Sequence, residues 1–305
     1  MFRRVRSKPN AAASASPPRD TVYLSLGTSL AAGSQADSAG LTTDSSNRSY
    51  TDQLYQRLKG RIGPRLEHVK LGCRGETTDQ LLGGTTNGVP SYCTGDYDTG
   101  SQIGDAIQTV AEENVVLITI DIGANDILQA QNSCPDGRCL PTAIGEIVGK
   151  VGTILYQLRE VAGYDGPIVG MNYYNPQAAI AIGFYPGYPG PLTPDPTLAM
   201  QADGLAQAFN GALATVFANF EVELADVYAA FNSGDFGDDR PANGTPDNVD
   251  VLCRLSYMCP DPGIPANIHL NDKGYRVVAK TFLGVVAGIE FEKTWRPAPR
   301  VGCRF

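Results

Sequence analysis

Ser29 and His269 are the residues best placed for nucleophilic chemistry in this 305-residue chain. Ser29 lies in "LSLGTSLAAG", where the apolar run "TVYLSLG" breaks into glycine and small residues. A serine hydroxyl becomes an effective nucleophile only when a neighbouring base takes its proton. The chain has two histidines: His68 lies inside the strand-like run "LEHVKLG", whereas His269 lies in a predicted loop before an amphipathic helical pattern. His269 is therefore the candidate base, and we expect His68 to be a packed residue or a residue at the sheet edge.

Two further loops contain groups that could stabilise the oxyanion of an acyl-transfer reaction. Gly75 in "LGCRGETTDQLL" would let the backbone approach a ligand and turn an N–H group outward. Asn125 in "DIGANDIL" could donate a hydrogen bond from its side-chain amide to a developing negative charge. Taken singly, Ser29, Gly75 and Asn125 also fit ordinary turns, loops and strand ends. The order Ser, Gly, Asn, His in four separate loops is far more specific than any one of them.

Strand and helix patterns alternate along the chain. The predicted strands are "TVYLSLG" (21–27), "LEHVKLG" (66–72), "VVLITIDIG" (115–123), "PIVGMNYY" (167–174) and "VELADVY" (222–228). The predicted helices are 48–59, 102–112, 143–161, 197–219 and 272–287. Such alternation produces parallel βαβ units with helices on both faces. The predicted fold class is therefore α/β, a three-layer α/β/α sandwich with a mainly parallel central sheet, whose ligand site lies outside the carboxyl ends of the strands.

The chain ends differ in composition from the rest. Residues 1–20 and 291–305 are predicted to be tails, and 21–290 a single domain. The N-terminal stretch has a basic start but lacks the apolar core of a signal peptide. No run approaches the roughly 18 apolar residues of a membrane span, so stable membrane insertion is not expected. The net charge of -8 disfavours nucleic-acid binding.

The first six of the seven cysteines fall into neighbouring pairs. We predict the disulfides Cys73–Cys93, Cys134–Cys139 and Cys253–Cys259, although six cysteines allow many other connectivities. Cys303 is left over. The spacings within the last two pairs are not those of zinc or thioredoxin sites, so neither a metal nor another cofactor is expected. Disulfides favour an exported, extracellular protein.

Four short motifs together resemble the SGNH hydrolases, also called GDSL esterases and lipases. They are "GTSL", "GETT" containing Gly75, "GAND" and "HLNDKGY", and the resemblance covers nearly all of 21–288. It implies a flavodoxin-like fold, Ser29 as nucleophile and His269 as general base. It also implies an oxyanion hole made by the backbone N–H groups of Ser29 and Gly75 and the amide of Asn125. The expected activity is cofactor-free hydrolysis of small-molecule or lipid esters. The cysteine layout resembles that of secreted actinobacterial members with three disulfides.

Two positions depart from the family pattern. Thr28 replaces the usual Asp after the first glycine, and Ala266 stands where the acid of the triad usually lies. Because a backbone carbonyl can also set the histidine tautomer, we expect a Ser-His dyad assisted by the carbonyl of Ala266. Asp261 is the side-chain alternative. Asp272 is expected to cap the following helix.

Two long segments could border the candidate site. Segment 175–198 is rich in Pro and Gly, and its Phe184, Tyr185 and Tyr188 could either form an apolar wall beside Ser29 or simply pin the segment to the surface. Loop 231–266 could shape access to His269.

Two other functions fit the same residues. An acyltransferase would use the same acyl-enzyme, whereas a binding protein of this fold would be catalytically impaired through the changes at Thr28 and Ala266. We expect a monomer.

Overall fold

A five-stranded parallel sheet forms the centre of the computed structural model, which describes residues 21–43, 47–134, 136–239 and 243–289. The strands are β1 (Thr21–Gly27), β2 (Gln35–Ala36), β3 (Thr42–Thr43), β4 (Leu66–Lys70), β5 (Asn114–Asp121), β6 (Ile168–Met171), β7 (Val222–Ala225), β8 (Ser256–Tyr257) and β9 (Asn267–Leu270). The sheet has the order β4-β1-β5-β6-β7, and every neighbouring pair is parallel. The short pairs β2-β3 and β8-β9 are antiparallel.

Helices cover both faces of this sheet. The helices are α1 (Ser29–Ala32), α2 (Tyr50–Ile62), α3 (Thr78–Leu81), α4 (Gln102–Glu112), α5 (Ala124–Ser133), α6 (Leu140–Tyr156), α7 (Pro196–Asn219), α8 (Val227–Ala230), α9 (Asp247–Leu255) and α10 (Asp272–Val286). Helix α2 packs against α10, and α6 packs against α7. The connection from β1 to β4 runs towards one edge of the sheet, whereas those from β5 to β6 and from β6 to β7 run towards the other edge. Right-handed crossovers therefore place α2 on one face and α6 and α7 on the opposite face. The predicted three-layer α/β/α architecture is confirmed.

The buried strands explain why the sequence signals were strong. Every residue of β1 after Thr21 is buried, and the last five residues of β5 are buried as well. A strand covered on both faces has a continuous apolar run rather than an alternating one. The predicted strands 66–72, 115–123, 167–174 and 222–228 are observed, but each ends two or three residues earlier. Those last residues belong instead to the loops and turns at the carboxyl edge of the sheet.

The Pro- and Gly-rich segment 175–198 and the predicted loop 231–266 both contain regular structure. A 3₁₀ helix (Pro176–Ile182) begins the segment 175–198, because Pro occupies its first turn and Asn175 caps it. Helix α9 lies within 231–266, where Val249, Leu252 and Leu255 form a buried face. Helix α6 continues as a π-helical stretch (Gln157–Val161), and a single 3₁₀ turn covers Thr94–Asp96.

The structure forms all three predicted disulfides, Cys73–Cys93, Cys134–Cys139 and Cys253–Cys259. Cys303 and the predicted tails 1–20 and 291–305 lie outside the described residues. In the part of the chain that the structure describes, no helix is long and apolar enough to cross a bilayer. The disulfides indicate that the protein folds in an oxidising compartment.

Candidate active site

Ser29 lies at the carboxyl end of β1, as the first residue of α1. The preceding turn is tight, because Gly27 has φ +139° and a Cβ atom there would lie 2.0 Å from Asp121 Oδ1. Thr28 caps α1, and its side chain accepts a hydrogen bond from the backbone N–H of Leu30. The turn therefore directs Ser29 away from the strand, to a helix start where backbone N–H groups have no partner within the helix.

Asp121 holds this turn from the neighbouring strand. It ends β5, pairs with Gly27 across the sheet, and its Oδ1 accepts the backbone N–H of Thr28 at 2.5 Å. The side chain is fully buried, and this burial raises the pKa of Asp121 to about 7. The carboxyl group that Thr28 lacks is thus supplied to the same turn by another strand. Asp121 was not predicted as a site residue, although an acidic residue inside the apolar run "LITIDIG" was a usable signal.

Asn125 ties the two candidate oxyanion loops together. Its Nδ2 donates to the backbone carbonyl of Glu76 at 2.8 Å, which leaves the second amide hydrogen for another acceptor. Gly75 precedes this carbonyl and has φ +76°, a conformation that glycine adopts without strain. Ser29 and Asn125 line one pocket, whereas Gly75 is not part of its lining.

The side chain of Glu76 is buried beneath the same loop. Its Oε2 accepts a hydrogen bond from the hydroxyl of Ser91, and Ser91 Oγ also accepts the backbone N–H of Cys93 at 3.2 Å. Burial raises the pKa of Glu76 to about 7 and outweighs the opposite effect of the hydrogen bond from Ser91. The Cys73–Cys93 disulfide closes this loop covalently. Gly75 is therefore held by a disulfide on one side and by a buried carboxyl group on the other.

His269 lies on β9 rather than in a loop, and Asn267 orients its ring. Asn267 Oδ1 is 2.7 Å from His269 Nδ1, while Asn267 Nδ2 donates to the Gly40 carbonyl at 3.0 Å. This network assigns Nδ1 as the protonated nitrogen and leaves Nε2 as the acceptor. Burial, and secondarily the charge of Arg74, lower the pKa of His269 to about 4. The imidazole is therefore neutral over most of the pH range.

The structure corrects the prediction for the group that orients His269. The Ala266 carbonyl accepts the N–H of Gly187 at 2.7 Å, and Asp261 is exposed. Asn267 replaces both, because residues two apart on a strand point to the same side. That spacing in "PANIHL" was the signal that sequence analysis overlooked.

The predicted cap of α10 was also wrong. Asn271, not Asp272, accepts the backbone N–H groups of Lys273 and Gly274. Asp272 instead binds Arg48 at 3.1 Å.

His68 is packed away from this site, as predicted. Its Nε2 is 2.9 Å from Ser25 Oγ, and its ring stacks on Tyr23 with centroids 4.6 Å apart. Burial lowers the pKa of His68 to about 4.

An apolar pocket contains Ser29, Asn125 and His269 in its wall. Apolar side chains supply most of the remaining wall, including those of Leu30, Ile127, Leu128, Tyr173, Tyr174, Leu205 and Phe209. Their sources are chiefly α5, α7 and the segment after β6. This wall was not predicted, because residues that face a pocket have the same apolar character as residues that face the core.

The aromatic wall predicted at Phe184, Tyr185 and Tyr188 is not part of this pocket. Tyr185 lines a separate depression with Leu192 to Pro194, and Tyr188 is 59% exposed. The cause is the 3₁₀ helix Pro176–Ile182, which puts Pro176 and Gln177 at the pocket and carries the later aromatic residues away from it. Among the described residues, no three His, Cys, Asp or Glu side chains cluster as a metal site.

A family model and several solved structures are similar to this chain. The model of the GDSL-like lipase/acylhydrolase family matches residues 25–277. No curated protein matches the chain.

Three solved structures illustrate the similarity. A lipase from a goat rumen metagenome is 16% identical, with a TM-score of 0.53 over 87% of this chain and 96% of its own. Phospholipase A1 from Streptomyces albidoflavus is 15% identical, with a TM-score of 0.51 over 87% and 98%. An acetylxylan esterase from Geobacillus stearothermophilus is 14% identical, with a TM-score of 0.50 over 90% and 97%. At these identities the likeness shows the fold.

Proposed function

The chain belongs to the GDSL-like lipase/acylhydrolase family, and we propose that it is a secreted serine esterase or lipase that hydrolyses carboxylic esters at Ser29. The observation that carries this proposal is that Ser29, Asn125 and His269 line one apolar pocket. A nucleophile, an oxyanion donor and a base thus surround a space that suits an apolar acyl group. All three come from one chain, so we expect the protein to work as a monomer.

The first half of the reaction makes an acyl-enzyme. His269 Nε2 takes the proton of the Ser29 hydroxyl while Ser29 Oγ bonds to the ester carbonyl carbon. The carbonyl π electrons move onto oxygen, where the N–H groups of Ser29 and Gly75 and the second amide hydrogen of Asn125 stabilise the charge. When the tetrahedral intermediate collapses, the carbon–oxygen bond to the alcohol breaks and His269 returns the proton to the leaving alkoxide.

The second half uses water in place of Ser29. His269 removes a proton from water, the hydroxide attacks the acyl carbon, and the bond to Ser29 Oγ breaks with return of the proton to serine. Throughout, Asn267 accepts from His269 Nδ1 and keeps Nε2 available. Because Asn267 is neutral, it stabilises the imidazolium less than a carboxylate would.

Hydrolysis of p-nitrophenyl esters by wild type and Ser29→Ala tests the proposal. We expect the variant to lose at least about 10⁴-fold in kcat/KM, because it lacks the attacking oxygen, and the neighbouring hydroxyl of Thr28 is engaged as the cap of α1. Thr51→Ala, which removes another buried hydroxyl, should retain ester hydrolysis. Stoichiometric labelling of wild type but not of Ser29→Ala by a fluorophosphonate would distinguish an enzyme from a binding protein. Equal activity in wild type and Ser29→Ala would refute the assignment.

A further inference from the structure

The pocket follows one face of helix α5. Ala124, Ile127, Leu128 and Gln131 line it, and positions three, four and seven residues apart lie on one side of a helix. This face begins beside Asn125, the candidate oxyanion donor, and ends at a polar residue after three apolar ones. An acyl chain whose carbonyl lies at Asn125 can therefore extend along α5 towards Gln131.

Two glutamine side chains meet at that far end. Gln131 Nε2 donates to Gln177 Oε1 at 3.1 Å, and Gln177 Nε2 donates to Gln131 Oε1 at 3.2 Å. Both residues line the pocket and are partly buried. The pair connects α5 to the 3₁₀ helix Pro176–Ile182, so it spans the space between the two elements.

The backbone around Gln177 is fixed independently of this pair. Asn175 Oδ1 accepts the N–H of Gln177 at 3.0 Å, and Asn175 Nδ2 donates to Asp203 Oδ1 on α7 at 3.3 Å. Tyr228 also donates to Asp203 at 2.9 Å. Removing either glutamine side chain should therefore open the pocket without displacing the 3₁₀ helix.

We propose that the Gln131–Gln177 pair is the far wall of the acyl pocket and selects medium-length acyl chains. This inference rests on the proposed esterase function. Gln131 lies six residues after Asn125, and six helical rises span roughly 9 Å. An extended carbon chain advances roughly 1.3 Å per carbon, given bonds of about 1.5 Å, so about seven carbons fill this distance. A longer chain would separate the two amides and leave their polar groups against methylenes, which is unfavourable.

The test is the acyl-length profile of kcat/KM, from p-nitrophenyl acetate to palmitate, for wild type, Gln131→Ala, Gln177→Ala and the double variant. Wild type should be most active on hexanoate and octanoate. Each single variant should raise the ratio of kcat/KM on dodecanoate to kcat/KM on butyrate about tenfold, the equivalent of about 1.4 kcal/mol. The double variant should gain no more than either single variant, because each single change already breaks the same pair. Circular dichroism and thermal unfolding that match wild type would show that the variants are folded.

Gln129→Ala is the matched control, because Gln129 lies on the same helix but is exposed. It should keep the wild-type profile. Profiles of Gln131→Ala and Gln177→Ala that coincide with that of wild type would overturn the proposal while leaving the esterase assignment intact. In contrast, ester hydrolysis that is absent from wild type or survives in Ser29→Ala would show that the proposed function itself is wrong.

Discussion

The molecule contains two serine–histidine pairs, and their serines, Ser25 and Ser29, are only four residues apart. In the first pair, Ser25 Oγ is 2.9 Å from His68 Nε2, and Asp52 Oδ1 is 3.9 Å from His68 Nδ1. In the second pair, Ser29 and His269 share the wall of the apolar pocket, and an asparagine lies beside the histidine. By residue type alone, Ser25, His68 and Asp52 resemble a catalytic triad more closely than the pair at the pocket does.

The two pairs differ in whether a substrate can reach the serine and in whether N–H donors lie beside it. Ser25 is fully buried in the middle of β1, paired with Lys70 on one side and Thr119 on the other. The ring of His68 stacks on Tyr23, so no substrate carbonyl can approach. Ser29 lies at a helix start beside a pocket, where N–H groups can stabilise an oxyanion. A hydrogen-bonded serine and histidine thus do not make a nucleophile without space and oxyanion donors.

Replacing each histidine by alanine should give the largest contrast between the pairs. We expect His269→Ala to lower kcat/KM by at least about 10³-fold, because Ser29 loses its base. His68→Ala should leave kcat within about threefold of wild type, because Ser25 has no access to substrate. Both should be measured on p-nitrophenyl butyrate at pH 8.

Ser25→Ala completes this comparison. It removes the hydroxyl that contacts His68 and should retain nearly full activity, with lower stability. A loss in Ser25→Ala as large as that in His269→Ala would reverse the assignment of the two pairs.

Changing Asn267 should give a smaller effect that tests what orients His269. Asn267→Ala should lower kcat/KM about tenfold, because Nδ1 loses its 2.7 Å acceptor and the tautomer is no longer fixed. Asn267→Asp should keep high activity but raise the pKa of His269 from about 4, since a carboxylate favours the imidazolium. The acid limb of the kcat/KM profile, near pH 4 in wild type, should then move to higher pH.

Asp261→Ala is the control for this prediction, because its side chain is exposed. It should leave the rate and the pH profile unchanged. If Asp261→Ala lowered the rate and Asn267→Ala did not, the acid on the loop would orient His269 after all.

The fold was predictable because its signals are local. Helix α4 has the predicted bounds, 102–112, since Ser101 caps it and Ile103 and Ala106 face the core. Helix α5 was not predicted, because its sequence "ANDILQAQNS" has no fully buried face. One side of α5 faces the pocket rather than the core. Because the pocket forms only when distant parts of the chain come together, the local sequence does not predict this helix.

The candidate site was predictable only in part. Ser29, Asn125 and His269 follow from motifs in loops, and the structure brings them to one pocket. Asp121 and Asn267 act through hydrogen bonds whose geometry depends on strand pairing and on a short strand, β9, that the sequence pattern did not reveal. Phe184, Tyr185 and Tyr188 could have formed a wall or anchored the segment to the surface. They do not line the pocket, because a 3₁₀ helix changes the direction of the chain before it reaches them.

The smallest effect that we predict concerns the pH dependence of the free energy of unfolding, to which His68 contributes without contributing to the rate. Burial lowers the pKa of both His68 and His269 to about 4, below the usual 6.5. The unfolded chain therefore binds protons between these values that the native state does not, so stability is full above about pH 6.5 and is lost as pH falls towards 4. For His68, this loss should be on the order of 2 kcal/mol between pH 6.5 and pH 4.5.

In urea unfolding, His68→Gln should be less stable than wild type at pH 7, because it loses stacking on Tyr23, but its stability should fall less at acidic pH. The pH dependence of its kcat/KM should match wild type, since His68 does not line the pocket. If the stabilities of wild type and His68→Gln changed in parallel from pH 7 to pH 4.5, His68 would not be held neutral by burial, and the two histidines would differ in environment as well as in role.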